Sequence, residues 1–90
     1  MRITYDDDAD ALYLYLGRSV SDDRPVARSV VVDDDRVVDL GEDGKPVGIE
    51  VLSASRGVHL SDLMAKFDLW SFEGHFRRIE AIHFSEPEFA

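Results

Sequence analysis

The sequence predicts an α+β fold: an antiparallel five-stranded meander sheet with one or two C-terminal helices packed on it. Three observations carry this. Apolar residues recur with a period of two through residues 1–52, the signature of half-buried strands. Asp43-Gly44 sits between two such runs, and Gly44 can take the positive φ that a tight hairpin turn demands. Beyond Leu52 the period changes, and Leu60, Leu63, Met64 and Phe67 fall at i, i+3, i+4, i+7, an amphipathic helix that covers one face of a sheet.

The elements follow in order. Met1-Arg2-Ile3-Thr4-Tyr5 reads as a first strand, and Asp6–Asp10 as a turn, since aspartates bond to nearby backbone amides. Ala11–Leu16 places Leu12, Leu14 and Leu16 on one face and Tyr13 and Tyr15 on the other. Gly17–Pro25 is a polar loop. Val26–Val32 is a third strand with Val26, Arg28, Val30 and Val32 on one face, and Asp33-Asp34-Asp35 turns the chain into Arg36–Leu40. Pro46–Leu52 completes the set, opened by a proline where a strand tolerates one. Gly48 within it marks a bulge or a close approach of other backbone. Connections this short exclude parallel crossovers, so the strands are antiparallel.

Ser53–Gly57 reads as one helical turn closed by Gly57 as a left-handed cap. Ser61-Asp62 suits the start of the amphipathic helix. From Trp70 to Phe84, the spacing of Phe76, Ile79 and Ile82/His83 fits a second helix better than an edge strand. The 90 residues amount to one domain, 1–90: a sheet over 1–52, a helical segment over 53–84 and a loose tail, Ser85–Ala90.

Composition narrows the function. The net charge is −9, with 13 acids and 6 bases in residues 1–52 and 6 acids and 4 bases in residues 53–90. Such a field repels phosphate backbones, which argues against direct nucleic-acid binding. It favours a small basic protein partner, although acids also simply keep a small domain in solution. No apolar run approaches the roughly 20 residues of a membrane span, and the N-terminus has no leader pattern, so the expected location is the cytoplasm. With no cysteine, disulfides, thiolate catalysis and cysteine-ligated zinc are excluded.

Chemistry-bearing patterns are sparse. The acidic turns lack the central glycine and the twelfth-position glutamate of a hand-type calcium loop. His59, His75 and His83 lack ligand spacing, and Ser53, Ser55, Ser61 and Ser71 sit where serines cap helical amides. No glycine-rich phosphate loop occurs. No catalytic residue, metal site or cofactor is therefore expected. Asp39 and Glu50, on one face of adjacent strands, are a pair able to share a proton, or else to be neutralised by Arg28 or Arg36 as a structural ion pair.

Two surfaces stand out. Leu63, Phe67, Trp70, Phe72 and Phe76 are candidate interaction anchors, or equally the packing of the helices onto the sheet. Tyr13, Tyr15, Val31 and Val37 make the second sheet face too apolar to be wet, so either the C-terminal segment or another subunit covers it. With two unpaired sheet edges, this predicts a homodimer.

The segments Tyr5-Asp-x-x-Ala-Asp-Ala-Leu-Tyr13 and Val38-Asp-Leu-x-Glu-Asp-Gly-x-x-Val-Gly-Ile-Glu-Val-Leu-x-Ala-Ser55 resemble the prokaryotic family known as domain of unknown function 2283. The resemblance covers residues 1 to about 55. It implies a compact bacterial domain, commonly a whole protein, with no established activity. Some relatives are encoded beside small toxin-like genes, which implies an antitoxin-like role. Residues 58–90 lie outside the shared pattern. The expectation is a non-enzymatic interaction module; the alternatives are a small enzyme or ligand-binding domain using Asp39 and Glu50, and a structural homodimer.

Overall fold

The computed structural model describes residues 1–17 and 25–82. Most of the Gly17–Pro25 loop, His83, Phe84 and the tail from Ser85 to Ala90 lie outside the described residues. Five strands form one antiparallel sheet: β1 (Arg2–Asp6), β2 (Ala11–Tyr15), β3 (Arg28–Asp33), β4 (Arg36–Leu40) and β5 (Pro46–Leu52). A 3-10 turn, Ala54–Arg56, then leads to α1 (Ser61–Phe67), and a second one, Trp70–Phe72, leads directly into α2 (Glu73–Glu80). The α+β fold and both C-terminal helices are as the sequence predicts.

The strand order departs from a simple meander: it is β1-β2-β5-β4-β3. The hairpin β1-β2 and the meander β3-β4-β5 each form locally, but β5 returns to pair with β2. The segment 16–27 therefore carries the chain past two strands, a lateral step of roughly 14 Å at the usual strand spacing. The physical reason lies in β5. Its Val47, Ile49 and Val51 are all buried, so the strand belongs at the centre, whereas β3 exposes Arg28, Ser29, Val31 and Asp33 and suits an edge. β3 also starts at Arg28 rather than Val26, which is about half exposed.

One sheet face carries the core. Leu12, Leu14, Val38 and Ile49 are fully buried there, with Leu16, Leu40 and Val51, and they pack against Leu60, Leu63, Met64, Leu69, Phe76 and Ile79 from the helical layer. At roughly 25 cal/mol per Å² of apolar surface, each of these side chains contributes on the order of 2 kcal/mol before entropy is counted. Phe72 stacks on Phe76 at 5.9 Å, continuing the core toward the surface. The described part of the C-terminal segment thus lies wholly on the leucine face and leaves the tyrosine face uncovered.

Candidate functional site

The open face, the one that the described residues leave uncovered, is built by register. One row across the sheet is Arg2, Tyr15, Gly48, Asp39 and Ser29; the next is Thr4, Tyr13, Glu50, Val37 and Val31. Asp39 is the polar hub: the Tyr13 hydroxyl donates to its Oδ2 at 2.6 Å and the Ser29 hydroxyl to its Oδ1 at 2.6 Å. The Tyr13 ring reaches Asp39 by lying across Gly48, where any Cβ would overlap the phenol. Gly48 therefore answers to a close approach, though of a side chain rather than backbone, and the β4–β5 register shifts next to it, between Asp39 and Leu40. Burial, then the bond to Asp39, holds the Tyr13 phenol well above its ordinary range, so it stays a donor. Tyr15 packs on Tyr13 at 4.7 Å between ring centres, and the Arg2 guanidinium lies 4.0 Å over the Tyr15 ring.

Asp39 and Glu50 are diagonal neighbours on this face, as their parity in the sequence predicts. The hydroxyls of Tyr13 and Ser29, rather than a shared proton or the arginines Arg28 and Arg36, are the partners of Asp39. Neither carboxylate lines the clefts described below, and neither has a hydrogen bond to a histidine among the described residues. The face is thus acceptor-rich: one oriented carboxylate, a second at Glu50 without a hydrogen-bond or ion-pair partner among the described residues, and two aromatic rings, bordered by Val37 and by Val31, which is 71% exposed.

Two further polar clusters hold the frame. Asp10, itself at φ 51°, accepts the Tyr5 hydroxyl (2.7 Å), the Ser55 amide (2.9 Å) and the Ser55 hydroxyl (2.5 Å). It ties the first turn to the end of β5, and these bonds, with that from the Ser55 hydroxyl the largest, hold its carboxyl below the usual range. Arg36 reaches Asp33 (2.8 Å), Asp62 of α1 (2.6 Å) and the His59 carbonyl (3.0 Å), linking sheet to helix. Ser53, Ser55, Ser61 and Ser71 cap no helix with their side chains; no helix or 3-10 turn has a side-chain bond from its own N-cap residue. Carboxylates from elsewhere in the chain do this instead: Asp10 takes the Ser55 amide and Glu80 takes the Leu60 amide at 3.0 Å.

The candidate interaction anchors divide. Leu63 and Phe76 are fully buried in the core. Phe67 and Phe72 line a cleft of about 410 Å³ with Lys45, Pro46 and Leu69, and Trp70 beside it is 54% exposed. A second cleft, about 350 Å³, lies between the β3–β4 turn and α1, lined by Asp35, Arg36, Arg56, His59 and Asp62 among others. His75 is exposed, and the Asp6, Asp7 and Asp8 carboxylates lie within 4.8 Å of one another on the surface. Asp6 already spends its Oδ1 on the amides of Asp8 and Ala9, the turn that the sequence predicts.

A family model for proteins of unknown function, DUF2283, matches residues 2–55. The chain belongs to this family. The matched segment spans the entire DUF2283 sheet and ends at Ser55, so the Tyr5–Asp10–Ser55 staple and the Tyr13–Asp39–Ser29 hub both lie inside it. Asp62 and Glu80, which attach the helical layer, lie outside it. No curated protein and no solved structure matches the chain. No helix among the described residues is long and apolar enough to cross a membrane.

Proposed function

We propose that this DUF2283 protein is a non-enzymatic interaction module whose open sheet face takes a lysine- and arginine-rich segment of a small basic protein. The observation that carries the reading is the composition of that face. Asp39 is oriented by two hydroxyls, Glu50 beside it has no hydrogen-bond or ion-pair partner among the described residues, and Tyr13 and Tyr15 add ring surface next to the Arg2 guanidinium. Guanidinium and ammonium groups match both features, because they donate to carboxylates and settle over aromatic faces. The contact of Arg2 with Tyr15 is an instance of that chemistry within the chain. A net charge of −9 speeds the approach of such a partner. An antitoxin-like role, with the partner a small basic toxin, is consistent with this reading.

The test is a titration of the isotope-labelled protein with an arginine/lysine-rich peptide, followed by amide chemical shifts. Shifts centred on Tyr13, Tyr15, Gly48 and Glu50, weakened roughly tenfold by Glu50→Lys, are the expected result. Shifts confined to the helical layer, or none at low salt, exclude this face as the site.

A further inference from the structure

We infer that the outer edge of β3 pairs with β3 of a second copy, joining two five-stranded sheets into one across a two-fold axis. β3 is an edge strand, and no described residue pairs with its outer side. Its sequence, Arg28-Ser-Val-Val-Val-Asp33, sets three β-branched residues in a row with no proline or lysine among them, which favours pairing, against one irregularity, the β3–β4 register shift between Val31 and Asp33. Val31 within it is 71% exposed, and Val26, just before it, 49%.

Charge decides the occupant. β3 begins with Arg28, exposed and without an ion-pair partner among the described residues, and ends in the turn Asp33-Asp34-Asp35. Asp33 is taken by Arg36, while the exposed Asp34 side chain has no partner among the described residues. An antiparallel copy, with the axis near Val31, brings each Arg28 toward the acidic turn that follows the other's β3, where Asp34 has no partner among the described residues. The strand is thus electrostatically complementary to its own reverse, as an isologous interface requires. The opposite edge, β1, lacks this: Arg2 lies over Tyr15, and the Asp6 carboxylate closes its own turn. Pairing β3 with β1 of another copy gives a head-to-tail filament, whereas β3 with β3 closes at two. The open sheet face stays free, so this inference stands apart from the basic-partner reading.

The experiment is sedimentation equilibrium of the full chain over a concentration series, with circular dichroism to confirm that each variant is folded. The wild type is expected to dimerise. Arg28→Glu and Asp34→Lys each place like charges across the axis and are expected to raise the dimer dissociation constant about tenfold or more; the double variant restores it. A wild type that stays monomeric to millimolar concentration overturns the inference, as do single variants that dimerise unchanged or a double variant that fails to recover. Peptide binding on the open face that survives Arg28→Glu separates this result from the fate of the basic-partner reading.

Discussion

At Gly48 the backbone has no positive φ, so its lack of a side chain serves space rather than conformation. The Tyr13 phenol fills that space on its way to Asp39. Gly48→Ala is therefore expected to destabilise the fold by about 1–3 kcal/mol, the usual range for overpacking, in a denaturant titration. In a Tyr13→Ala background the same substitution should cost much less, because the colliding ring is gone. An equal cost in both backgrounds refutes the contact as its cause. The glycine was legible in the sequence as a special position, since it interrupts an apolar strand. Its partner was not, because Tyr13 meets it only once β5 has been placed beside β2.

The helices depend on the sheet more than on their own caps. Their apolar stripes were readable at 3.6-residue spacing, and Leu60, Leu63, Met64, Phe76 and Ile79 are buried accordingly. Their capping was not readable, because Asp10 and Glu80 reach it across long sequence separations. Arg36 plays the same bridging part between β4 and α1, with its side chain only 14% exposed. Removing its charge strands the His59 carbonyl and two carboxylates. Arg36→Met is expected to cost roughly 1–3 kcal/mol. Hydrogen exchange should show α1 amides losing protection before those of the central strands; uniform loss across both layers contradicts the bridge.

At the scale of the molecule, carboxylates set the pH response. Bonds from the Ser55 hydroxyl to Asp10, and from Arg36 to Asp33 and Asp62, hold these three carboxyls below their ordinary range in the folded state. Their contribution is therefore complete above the unfolded value, near 4, and is lost as the pH falls below it. Tyr13 shifts the opposite way, so its contribution is complete below about pH 10 and declines as the pH rises further. Unfolding free energy measured against pH is expected to drop below about pH 4, with Asp10→Asn flattening part of the drop. A large loss already between pH 5 and 8 contradicts this assignment.

Period-two alternation, the Asp-Gly turn and the helical stripe determined five strands, one or two covering helices and the leucine face of the core, because burial pattern and turn chemistry are local properties of a chain. The same parity put Tyr13, Tyr15, Val31, Val37, Asp39 and Glu50 on one face. Only the tertiary structure decided that β5 occupies the centre and β3 an edge, because strand order depends on which faces can be buried together. That order brings Tyr13 to Asp39 and Asp10 to Ser55, and leaves Arg28 at the start, and Asp34 just past the end, of an edge strand with no described partner on its outer side.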